Sequence, residues 1–167
     1  TWKLYYENLF FVSILNHAYY ESKDIKYHEK AKKYINSYIK KHATLNDSTS
    51  KYSWYDHSVA FRTLHVLQTI ANELDLPNSD ITFIEKSFDH IDVSINYMLD
   101  SKNYRAHNHS LMMDRTLLYL SNIFNSNSSL STNIRNIAST RALNNFDKII
   151  DDTGLAKEHS IGYHIFN

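Results

Sequence analysis

Two glycines and one proline in 167 residues leave this chain almost no material for tight turns. Hairpin turns need residues with positive φ, which glycine adopts freely, and proline presets the entry to other turns. An all-β chain of this length needs a turn every ten residues or so. The scarcity therefore predicts an all-α chain of long helices joined by Asn-, Ser- and Asp-rich loops. The charge balance narrows the partners. Eighteen Lys and Arg against eighteen Asp and Glu give a formal net charge of zero, so there is no broad electrostatic footprint for nucleic acid. No apolar run is long enough to cross a bilayer. The absence of cysteine excludes a disulfide framework and thiolate metal sites.

Apolar spacing predicts the helices one by one. Trp2 to Tyr20 reads as a single, largely buried aromatic helix. Lys26 to His42 places Ala31, Tyr34, Ile35, Tyr38 and Ile39 on one stripe. Trp54 to Leu74 repeats Ala60, Leu64, Leu67, Ala71 and Leu74. After Pro77 and Asn78, Ser79 or Asp80 is expected to cap a helix carrying Ile81, Ile84, Phe88, Ile91, Ile95 and Met98. Ser110 to Phe124 is expected as the next helix, and Asn108 is the simplest N-cap for it. Ser131 or Thr132 is expected to cap Ile134 to Ile150. Gly154 suits a left-handed turn, and a last helix is expected near His159. Short connections predict consecutive antiparallel hairpins in a single domain spanning 1–167, with either a curved α/α array or a compact bundle as the architecture.

Polar residues gather where helices begin. "SWYDHSVAFR" opens one helix with Trp54, Asp56, His57 and Arg62. "HNHS" opens another with Asn108 and His109, and "EHSIGYH" a third with Glu158, Ser160, Tyr163 and His164. In stacked hairpins alternate helix starts face one end, where exposed amides favour anionic groups. Trp54 and Tyr55 are suited to stacking on sugar rings from the edge of such a cleft. Arg62 has a second reading, an ion pair with Asp56 or Asp114 inside the fold. Neither His107 with His109 nor His159 with His164 has the spacing that places two ligands on one helix face, so no metal is expected.

Trp54, Asp56 and Arg62, then Asn108 and His109, then Gly154, Glu158, Ser160, Tyr163 and His164, in this order, resemble the heparinase II/III family of polysaccharide lyases. The resemblance runs through nearly the whole chain. It implies part of an (α/α) toroid, continued in family members by a C-terminal β-sandwich, so the chain is expected to be a helical fragment of a longer protein. It also implies β-elimination on a uronic-acid-containing polysaccharide, no cofactor, and a bacterial periplasmic or extracellular setting. Asn108 corresponds to the amide that neutralises the sugar carboxylate, His109 to a candidate base, and Tyr163 to the general acid. Arg62, Trp54, His57 and His164 are the candidates for holding substrate. Two features depart from the family. Met112 and Met113 stand where some members carry an acid, the first acid here being Asp114, and the sandwich residue that completes many family sites lies outside the sequence. The alternative reading is a non-catalytic helical module that binds glycan or protein through the same end.

Overall fold

The computed structural model describes residues 2–42, 52–124, 128–154 and 157. Seven α-helices and one short 3-10 turn, with no strand among the described residues, make the chain all-α. The helices are α1 (Trp2–Glu7), α2 (Phe10–Ser22), α3 (Ile25–Lys41), α4 (Asp56–Leu74), α5 (Ile81–Leu99), α6 (Asn108–Ile123) and α7 (Ser129–Ile149), with the 3-10 turn at Ser101–Asn103 between α5 and α6. The chain falls into two compact units, 1–97 and 98–167. The helix expected near His159 lies outside the described residues.

In the first unit α2 packs on α3 and α4, and α1 packs on α2 and α4. The single aromatic helix expected over 2–20 is two helices. Leu9 breaks it, with φ 56 in the left-handed region. A non-glycine residue there costs about 1 kcal/mol or more. Burial of the Leu9 side chain, 1 % exposed, offsets that by roughly 2 kcal/mol. Asn8 stitches the break by accepting the Phe10 N–H on its side-chain oxygen at 2.9 Å. The segment is also less buried than expected, for Trp2, Tyr5, Phe10, Ile14 and Tyr20 are exposed.

The inner face of α4 differs from the expected stripe too. Ala71 and Leu74 face outward, whereas Val59, Arg62, Val66, Ile70 and Glu73 are buried. Ala60 and Leu67 are buried as expected; the two charged side chains that share the inner face are what counting apolar residues alone left out. On α3, by contrast, Ala31, Ile35 and Tyr38 are buried as the spacing predicts, although Tyr34 is exposed. Asp80 is the cap of α5, its carboxylate accepting the Phe83 N–H at 3.0 Å. Ile91, Ile95 and Met98 are buried on that helix, and Ile81 is exposed.

In the second unit α6 packs on α7 around Leu111, Met113, Leu117, Leu120, Ile134 and Ala138. Arg141 of α7 donates to the carbonyls of Met98 and Leu99, both at 2.7 Å, and so satisfies the end of α5. Ser128 caps α7 by accepting the Ser131 N–H at 3.1 Å, three residues before the earlier of the two caps expected. Gly154 has φ 84, as its place in the turn requires.

Candidate functional site

The start of α6 carries Asn108 and His109. The N-cap is His107, one residue before the cap expected. Its backbone is extended, and its Nδ1 accepts the His109 N–H at 3.1 Å. Asn108 is the first helical residue, and its Oδ1 accepts the same N–H at 2.9 Å. An imidazole and an amide therefore share one of the donors that every helix start leaves open. The His107 and His109 rings meet edge to face with centroids 5.0 Å apart. Asn108 is buried, and His109 is partly exposed.

Behind this mouth lies a buried polar cluster that the sequence did not announce. Asn145 of α7 donates its amide N–H to the His107 carbonyl at 2.8 Å and, more weakly, to the Tyr104 hydroxyl at 3.4 Å. Tyr104 in turn donates to the Asp114 carboxylate at 2.7 Å. The Arg141 guanidinium lies over the Tyr104 ring, 4.4 Å from its centroid. Asp114 and Asn145 are both 0 % exposed, and one oxygen of each has no hydrogen-bond donor. Burial pushes the Asp114 carboxyl up to about 6, against the Tyr104 O–H and the Arg141 charge, which pull it down. Burial and the neighbouring carboxylate push the Tyr104 phenol above its ordinary range.

The other residues singled out in the sequence belong to the first unit. Arg62 is fully buried, at 0 % exposed. Its Nη1 donates to the Glu7 carbonyl at 2.7 Å and its Nε to His90 Nε2 at 3.2 Å. These bonds, and not an ion pair with Asp56, hold it in place. The guanidinium also lies 4.8 Å from the Tyr38 ring centroid and 5.3 Å from that of Trp54, close enough for cation–π attraction. Burial and the repulsion of Arg62, then of His42, hold His90 neutral, its imidazole lowered to about 3. Because His90 Nε2 accepts from Arg62, its proton sits on Nδ1, which has no acceptor. Glu7 accepts the Tyr38 O–H at 3.0 Å. Burial chiefly raises the Tyr38 phenol above its ordinary range, with the Arg62 charge opposing.

Trp54 is half-buried beside Tyr97, whose hydroxyl donates to the Trp54 carbonyl. His57 is half-buried, with its ring against Tyr55 and Phe61. Tyr163 and His164, with Glu158 and Ser160, lie outside the described residues. The structure thus brings Trp54 and Arg62 into contact within the first unit, and Asn108 and His109 within the second.

One grouping in the first unit has the ligand types for a metal: His28, Glu29 and Glu73. His28 Nε2 lies 2.5 Å from the Glu73 carboxylate, and the Lys32 ammonium lies 3.0 Å from that same oxygen and 3.5 Å from Glu29. A protein cation already stands among these carboxylates, so the donor set does not fit a divalent ion. Burial would raise the Glu73 carboxyl, but the Asp80 N–H, His28 and Lys32 outweigh it and hold the group below its ordinary value. A groove of about 530 Å³ between α3 and α5 is lined by Phe83, Ile39, Lys40, Lys86 and Asp80 among others. It contains none of the motif residues. Among the described residues no helix is long and apolar enough to cross a membrane.

No protein-family model matches the chain, and neither does any curated protein or any solved structure.

Proposed function

We propose that this chain is the helical part of a polysaccharide lyase of the heparinase II/III type, an (α/α)-toroid segment that cleaves a uronic-acid-containing polysaccharide by β-elimination. The observation that carries the reading is the mouth of α6, where Asn108 and His109 stand side by side at a helix start with their backbone fixed by the His107 cap. That pairing has the chemistry the reaction needs. The C5 proton of a uronate is too weakly acidic to leave while the adjacent carboxylate is a free anion. A donor must hold the carboxylate as charge moves onto it, and Asn108 with the positive end of α6 supplies one. A base takes the C5 proton, its electron pair forms the C4–C5 double bond, and the C4–O bond breaks. His109 is the base in this reading. Tyr163, assigned from the sequence motif, returns a proton to the departing sugar oxygen. Trp54, His57 and His164 remain the candidates for substrate contact.

Arg62 takes a different role from the one first expected. A fully buried guanidinium that spends two bonds inside the first unit holds the Trp54 edge in place and does not hold a sugar. That burial is equally compatible with the alternative, a non-catalytic glycan- or protein-binding module.

Elimination leaves a conjugated unsaturated uronate that absorbs near about 230 nm, which neither hydrolysis nor binding produces. The protein at its full natural length, incubated with heparan sulfate, alginate and other uronic-acid polymers, is expected to raise that absorbance with one of them. Tyr163→Phe is expected to lower the rate by about 100-fold or more. No rise with any polymer overturns the lyase reading and leaves the binding module. Undiminished product from Tyr163→Phe removes Tyr163 as the acid.

A further inference from the structure

An asparagine near the C-terminal end of α7 has no local reason to be buried. Asparagine is a mediocre helix former, and burying its amide is unfavourable unless it is hydrogen-bonded. Asn145 is nevertheless 0 % exposed, and its better bond, at 2.8 Å, goes to the carbonyl of His107. That carbonyl also accepts the Ser110 N–H at 3.1 Å, the first turn of α6. His107 is the residue whose imidazole caps the helix. A single side chain from α7 therefore holds the peptide of the residue whose ring caps α6. The same amide nitrogen also donates, more weakly at 3.4 Å, to the hydroxyl of Tyr104, which Asp114 anchors at 2.7 Å and over which Arg141 lies. Each member restrains the next, from a buried carboxylate to the backbone beside Asn108.

We propose that Asn145, backed by Tyr104 and Asp114, is a positioning residue for the α6 mouth: its amide sets the His107 carbonyl and so presents Asn108 and His109 to substrate in one geometry. This rests on the reading of that mouth as the acid–base site. The cluster touches no reacting atom. Its effect is on the population of the competent arrangement, which lowers turnover more than binding when it is lost.

Asn145→Ala, checked for a native helical spectrum and a cooperative melt, tests the tie by amide hydrogen exchange read residue by residue. Exchange at His109 and Ser110 is expected to quicken by about tenfold, with Leu117 and Ala138 unchanged. In the full-length protein kcat is expected to fall by about tenfold while KM stays within about twofold. Unchanged exchange at His109 and Ser110 overturns the proposal. A uniform rise along α6 and α7 also overturns it, because that reports lost packing and not a local tie. Should Asn145→Ala fail to fold, Tyr104→Phe carries the same measurement, since it keeps the ring under Arg141 and removes the hydroxyl that Asn145 meets. A rise of about threefold confined to the α6 start is then expected, and no change overturns the tie. If the wild-type protein makes no unsaturated product, the lyase reading falls, while the exchange measurement still decides whether Asn145 holds the α6 start.

Discussion

Each of the two compact units has a fully buried ionisable side chain beside its candidate residues, Arg62 in the first and Asp114 in the second, of opposite sign. The first unit buries a cation. Arg62 sits among Glu7, Tyr38, Trp54 and His90 with two hydrogen bonds and two aromatic faces, and burial, aided by its charge, keeps His90 neutral. The second unit buries an acid. Asp114 has one phenol donor and one oxygen with none, and burial leaves its carboxyl raised to about 6. A guanidinium spreads its charge and cannot shed its proton at ordinary pH, so the fold around Arg62 must adapt to it. A carboxyl can take up a proton, so the fold around Asp114 can leave an oxygen unmet. Neither network is complete, since Arg62 Nη2 and His90 Nδ1 lack partners as one Asp114 oxygen does. The contrast is that the guanidinium keeps its charge against aromatic faces and two acceptors, whereas the carboxyl can shed its charge by taking up a proton.

The difference has opposite signs in pH. His90 is lowered from 6.5 to about 3, so between those values the unfolded chain binds more protons than the native one. The first unit therefore loses stability as pH falls below 6.5. His65, lowered chiefly by burial, and Glu73, held below its ordinary value, act in the same direction. Asp114 is raised from 3.8 to about 6, so in that window the native state binds more protons. The second unit gains stability as pH falls from about 6 toward 4 and loses it on the way back up.

Breaking the Arg62 network has the largest expected effect. Arg62→Ala strips the Glu7 carbonyl and His90 of their donor and removes the charge that attracts the buried Glu7 carboxylate. It is expected to destabilise the first unit by about 4 kcal/mol, read as the urea dependence of exchange at core amides such as Ile70. A loss under about 1 kcal/mol shows that the cluster is not a unit. Next comes His90→Asn, which keeps an acceptor for Arg62 but does not titrate. It is expected to remove about 3 kcal/mol of the acid-induced loss between pH 6.5 and 3, with His65 and Glu73 supplying a residual slope of the same sign. An unaltered slope places the acid sensitivity elsewhere.

Asp114→Asn is expected to stabilise the second unit by roughly 2 kcal/mol at pH 8 and to flatten its pH dependence between 4 and 6. Exchange at Leu117 reads both, and destabilisation at pH 8 means that the ionised carboxylate is better met than its contacts indicate. The smallest effect sharpens the comparison most. Tyr104→Phe is expected to cost about 1 kcal/mol at pH 8, where the acceptor is an anion, and less at pH 5, where it is neutral. Equal losses at the two pH values separate Tyr104 from the Asp114 titration.

Much of this was legible in the residues before any coordinates. The shortage of glycine and proline announced helices, the Ala31–Ile35–Tyr38 stripe marked the inner face of α3, and "HNHS" after a polar loop marked the opening of α6. Leu9 was not legible, because nothing distinguishes a leucine bound for the left-handed region from its helical neighbours. Its place depends on what buries it. The inner face of α4 was misread for a related reason: Arg62 and Glu73 read as solvent-facing until partners from other helices claim them. Asn145 gave no signal at all, since an asparagine within a helix normally faces water.

The sequence by itself determined the helical class, the approximate limits of most helices and the residues that crowd their starts, because turn chemistry and apolar spacing are local properties. Only the tertiary structure decided which charges go inside and which helix start is tied from behind. Those outcomes depend on pairings such as Arg62 with His90 and Asn145 with His107, between residues 28 and 38 positions apart. No local preference encodes the partner that makes a buried polar group tolerable.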